Sequence, residues 1–118
     1  MILYTEDIER LEKIRTYINS NLSHELNASA IAKKFEINKY KLNRHFSQQF
    51  NTTLFRYILE QRMNCALELL SKNALPVSEV AKLVGYEDKS VFNHAFTNYF
   101  GSCPSAVLSN KHMPLVKS

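Results

Sequence analysis

The chain has 118 residues, two glycines, three prolines and a formal net charge of +4, enough for one compact unit or two very small ones sharing an element. So few turn-formers exclude long linkers and a hairpin-rich fold, and no apolar run approaches the roughly 20 residues of a membrane-spanning helix. The charge gathers late: residues 1–38 carry five bases against six acids, residues 39–118 ten against five, which permits nucleic acid or another acidic surface as partner of the later part.

Hydrophobic spacing is helical throughout. Ile8, Leu11, Ile14, Ile18 and Leu22 trace one stripe and predict a first helix over 7–22. Asn27 is placed to cap a short helix, "ASAIAKKF", that buries Ile31, Ala32 and Phe35. Asn38 caps "KYKLNRHFSQQF", with Leu42, Phe46 and Phe50 inward. Thr53 caps a long helix over 54–72 whose buried face is expected to take Phe55, Ile58, Met63, Ala66, Leu67 and Leu70. Val77 to Val84 form another short helix, ended by Gly85. Asp88 caps a helix over 89–100 that Gly101 ends in the left-handed conformation. Pro104 suits the first position of a last short helix, and 111–118 is expected to be a flexible tail. Seven helices and no strand make the fold class all-α.

The chain contains an internal repeat. "AIAKKFEINKYKLNRHFSQQFNTTLF" overlays "EVAKLVGYEDKSVFNHAFTNYFGSCP", with one extra residue in the second turn. Ala32 matches Ala81, Phe35 matches Val84, Lys39 matches Lys89, Leu42 matches Phe92, Asn43 matches Asn93, Phe46 matches Phe96 and Phe50 matches Phe100. Each copy reads as a short helix, a tight turn and a longer helix, the helix-turn-helix plan.

On a wheel of about 100° per residue, the second helix of each copy sets a polar face opposite its core. In the first copy that face holds Tyr40, Asn43, Arg44 and Ser47. In the second it holds Ser90, Asn93, His94 and Thr97. These side chains donate and accept hydrogen bonds, and they occupy the part of a helix-turn-helix that enters a major groove. Arg44 can fork onto guanine, and Asn43 and Asn93 can pair with adenine. Tyr40, Ser90 and His94 complete the expected base-contacting set. Lys39, Lys41, Lys89, Ser47, Arg56 and Thr97 are expected at the DNA backbone, where contacts fix register without reading sequence. Helix N-termini can add backbone N–H contacts to phosphates.

Other residues read as structural. Arg62 lies mid-helix beside Met63 and favours an ion pair with Asp88 or Glu87. His45, matched to Ala95, reads as a packing residue. His24, His45, His94 and His112 lack metal-ligand spacing. Cys65 and Cys103 have no C-x-x-C spacing, which points to a reduced, cytoplasmic protein without a disulfide framework. No signal peptide opens the chain. No Gly-rich phosphate loop, H-E-x-x-H motif or nucleophile elbow supports an enzyme, and no cofactor is expected.

The run "YILEQRMNCALELLSKNALPVSEVAKLVGYEDKSVFNHAFTNYFGSCPSA" resembles the signature region of the AraC/XylS transcription regulators. The matching marks are Arg62, Ala66, Leu69–Leu70, Val80–Ala81, Gly85–Tyr86, Asp88, Ser90, Phe92, Phe96, Phe100–Gly101 and Pro104. The likeness extends over residues 8–108. It implies two helix-turn-helix subdomains, 1–52 and 74–110, joined by a linking helix over 53–73. It implies sequence-specific binding of double-stranded DNA through two successive major grooves, and transcriptional activation through RNA polymerase as the commoner outcome. Many members also carry an effector-binding or dimerisation domain, so the chain is expected either to stand alone or to be the DNA-binding part of a longer regulator. Three departures stand out. Asn51 replaces a usual glycine, Cys103 a usual Thr or Ser cap, and Val107–Leu108 a usual aromatic–Arg pair. The competing expectation is a helix-turn-helix module that binds only protein.

Overall fold

Side-chain oxygens begin several of the helices. In the computed structural model, which describes residues 3–72 and 75–110, the Asn27 carboxamide accepts the Ala30 N–H at 2.8 Å. Asn38 accepts from Tyr40 and Lys41 at 2.8 and 3.1 Å, Thr53 Oγ1 accepts from Arg56 at 3.0 Å, and Asp88 accepts from Ser90 and Val91 at 2.7 and 3.3 Å. Each satisfies donors that the first turn of a helix leaves open, typically worth about 1 kcal/mol.

The helices are α1 Thr5–Ser20, α2 Ala28–Lys34, α3 Lys39–Phe50, α4 Leu54–Ser71, α5 Val77–Leu83, α6 Lys89–Phe100 and α7 Pro104–Asn110, with no strand among the described residues. The first helix starts and stops two residues earlier than its apolar stripe predicts, so Leu22 packs from the following loop. The expected tail over 111–118 lies outside the described residues. Among the described residues, no helix is long and apolar enough to cross a membrane.

The chain divides into two compact units, residues 1–60 and 61–118, and α4 runs from one into the other. The first unit buries Leu11, Ile14 and Ile18 of α1 against Leu26, Ile31, Ala32, Leu42, Phe46, Leu54 and Ile58. Phe46 meets Phe50 and Tyr57 edge-on, with ring centroids 4.7 and 5.5 Å apart, a favoured geometry for aromatic pairs. The Tyr57 hydroxyl donates to Asn19 Oδ1 at 2.8 Å and ties α4 to α1. In the second unit Met63, Ala66, Leu67, Leu70, Val80, Ala81, Val84, Phe92, Phe96, Phe100 and Val107 are buried. A ladder of rings, Tyr86–Phe92–Phe96–Phe100, runs through it at 5.6, 5.7 and 4.7 Å.

The two turns are built alike. Glu36 and Gly85 both take positive φ, 53° and 96°. The next residue's N–H reaches back to the first short helix: Ile37 to the Ala32 carbonyl at 2.9 Å, Tyr86 to the Ala81 carbonyl at 2.8 Å. This left-handed exit turns the chain sharply enough for the second helix to pack across the first.

One expectation for α4 fails. Phe55 is 78% exposed. Leu54 and Ile58 are buried near the start of the helix, while Met63, Ala66, Leu67 and Leu70 are buried further along. At about 100° per residue these two sets lie on faces roughly half a turn apart, and Phe55 falls between them. A single stripe through the whole helix was the wrong template, because each half of α4 packs into a different unit.

Candidate nucleic-acid interface

In α3 the core takes Leu42, His45 and Phe46, which turns the remaining faces outward. Lys39, Tyr40, Lys41, Asn43 and Arg44 are exposed and Ser47 is half-buried. Tyr40 is 75% exposed, with the Lys39 ammonium 5.6 Å from its ring centroid. A large ring left in water among three cations has no packing role within the unit. It offers a flat face for stacking or an apolar edge, with charge beside it.

In α6 the core takes Phe92, Phe96 and Phe100. Lys89, Ser90, Val91, His94 and Thr97 are exposed and Asn93 is half-buried. The structure thus brings Tyr40, Asn43, Arg44, Lys39, Lys41 and Ser47 together on one helix, and Ser90, Asn93, His94, Lys89 and Thr97 on the other. Arg56 is exposed in the first turn of α4. Val91 carries no functional signal in the sequence, because a valine beside Phe92 looks like core filling.

The caps limit what the helix starts can donate. The N–H groups of Tyr40, Lys41, Ser90 and Val91 are already held by Asn38 and Asp88. These N–H groups are therefore less open to an anion than those of a bare helix end would be.

His45 sits behind the outer face and is 5% exposed. Burial pushes its pKa below the ordinary 6.5; Asp7 opposes the shift, and Lys41 and Arg44 add to it. Arg62 has a structural neighbour in Tyr86. Its guanidinium lies 5.8 Å from the Tyr86 ring centroid, while one oxygen of the Asp88 carboxylate caps α6. Burial raises the Tyr86 hydroxyl pKa and lowers that of Arg62, and their proximity partly offsets both shifts.

Cys103 stands in place of a conventional cap before Pro104, and its sulfur meets a hydroxyl in the first turn of α7. It lies 3.2 Å from Ser105 Oγ. That hydroxyl, followed by backbone donors led by Ala106, lowers the thiol pKa. Cys65 is the opposite case, since burial raises its pKa. Asn51, in the other departure from the usual pattern, adopts φ 57° and ends α3 as a glycine would.

Two helix-turn-helix units on a shared helix, each with an outward polar face on its second helix, define the arrangement. A family model described as a helix-turn-helix domain matches residues 31–110. The chain belongs to the AraC-type helix-turn-helix family. This AraC-type chain is 33% identical over 95 residues to the Msm operon regulatory protein of Streptococcus mutans, covering 80% of this chain and 34% of that protein. It is similar to the C-terminal domain of AraT, a response regulator from Geobacillus stearothermophilus. That likeness has a TM-score of 0.81 and 25% identity, with 92% of this chain and 88% of that one covered. Its fold also matches the DNA-binding domain of AdpA, a global transcriptional factor solved in complex with a target DNA. There the TM-score is 0.79 at 20% identity, with 86% of this chain and 91% of that one covered. The AraC-type chain spans about a third to two fifths of the length of the curated relatives it matches.

Proposed function

We propose that the chain binds specific double-stranded DNA and regulates transcription, reading two successive major grooves with α3 and α6. The observation that carries this reading is the outer face of α3: an exposed Tyr40 set among Lys39, Lys41, Asn43 and Arg44. Arg44 and Asn43 suit guanine and adenine edges. Tyr40, Ser90, Asn93 and His94 complete the base-facing set, and Lys39, Lys41, Ser47, Arg56, Lys89 and Thr97 lie at the backbone. Phosphate neutralisation supplies most of the affinity and the base contacts supply the choice of site. Activation through RNA polymerase is the regulatory mode we favour, in a cytoplasmic protein that performs no catalysis. In a longer regulator, an effector or dimerisation domain would set when this part binds.

The test is a binding selection on genomic fragments with the purified chain, repeated with Arg44→Ala and His94→Ala. The expected result is one motif of two short elements about one helical turn apart, each variant blurring a different element. Arg44→Ala should cost on the order of 1–3 kcal/mol at its base. Salt-sensitive binding with no motif would overturn sequence reading. No binding at all would favour the protein-interaction module.

A further inference from the structure

The two helix-turn-helix copies share their core pattern but differ at several outward positions, Lys41 against Val91 among them. Lys41 is the third residue of α3; Val91 is the third residue of α6. Both are exposed, Val91 by 54%. The Val91 N–H is held by Asp88 Oδ1 at 3.3 Å, so the turn carrying it is fixed. It follows Ser90 directly and lies one turn before His94, both exposed and both assigned above to the DNA-facing side. In a helix a β-branched side chain keeps essentially one χ1 rotamer, so valine presents its methyls without a large loss of freedom on binding.

Within a major groove, the apolar group on offer at base edges is the thymine 5-methyl. We infer that Val91 reads a thymine methyl in the DNA element bound by α6. The inference rests on the DNA-reading proposal and deepens it. The copies then meet DNA by different chemistry at a matched position: an ammonium in α3, suited to phosphate, and an isopropyl group in α6, suited to thymine.

The test uses the full chain and the motif it selects. The element belonging to α6 is the one that His94→Ala blurs. Each thymine there is replaced singly by deoxyuridine, which removes only the 5-methyl, and Kd is read by fluorescence anisotropy. One substitution is expected to weaken binding by roughly three- to fivefold, the worth of one buried methyl. Val91→Ala should bind the thymine and uracil duplexes equally, with an unchanged melting temperature. Leu83→Ala, at an exposed aliphatic of α5, should keep the preference. The inference is overturned if no uracil substitution weakens binding, or if Val91→Ala discriminates as the parent does. Both of those outcomes leave the selected motif intact. Failure to select any motif would instead remove the DNA-reading proposal, and this inference with it.

Discussion

Glu36 and Gly85 occupy the same place in the two turns, with φ of 53° and 96°, yet only one of them is glycine. A side chain in the left-handed region costs on the order of 1 kcal/mol, and glycine gives back part of that through the freer unfolded chain. Glu36→Gly should therefore raise stability by about 0.5 kcal/mol, while Gly85→Ala should lower it by about 1 kcal/mol. Opposite signs in chemical denaturation would establish that the two turns carry the same strain; equal signs would show that the Glu36 side chain has an offsetting role. His45 makes a second prediction at this scale. Its folded pKa lies below the unfolded 6.5, first because it is buried. Between those two values the unfolded chain binds more protons, so stability rises with pH. The contribution is complete above about pH 6.5 and is lost as acidification carries the chain through the folded pKa. Melting temperature should fall as the pH drops below about 6.5, and His45→Gln should flatten that fall.

At the scale of elements, the helix starts were legible because asparagine, threonine and aspartate carry an oxygen that reaches the open N–H groups two or three residues on. Asn27, Asn38, Thr53 and Asp88 all do so. The outer faces of α3 and α6 were legible because period 3.6 separates them from Leu42 and Phe46, and from Phe92 and Phe96. Glu36 was not legible, since nothing in glutamate signals a positive φ; only its match to Gly85 could have raised it. Phe55 was misread because hydrophobicity alone cannot say that a helix changes its buried face partway along. The structure turns this into a measurement. Phe55→Ala should change stability by about 0.5 kcal/mol or less, as exposed positions do, while Met63→Ala should cost about 2–5 kcal/mol. A large loss from Phe55→Ala would restore the single-stripe reading of α4.

Across the whole molecule the charge is uneven in sequence and in function. The exposed cations assigned to DNA are Lys39, Lys41, Arg44, Arg56 and Lys89; four of these five lie at or before residue 56. The first unit is therefore expected to supply most of the electrostatic attraction, and α6 to contribute more through neutral contacts. Counterion release makes this quantitative. Each neutralised phosphate adds about −0.9 to the slope of log K against log salt. With the four proposed backbone cations engaged, the slope should be about −3.6, a loss of roughly a hundredfold between 50 and 200 mM salt. Removing one such contact with Lys41→Ala should make the slope shallower by about one and weaken all sequences alike. Lys89→Ala should do the same through α6. Arg44→Ala should instead alter which sequence is bound, because its main partner is a base. A slope near zero with retained affinity would mean that these faces meet something other than a phosphate backbone. A slope that is steep but insensitive to Lys41→Ala would place the backbone contacts elsewhere on the two units.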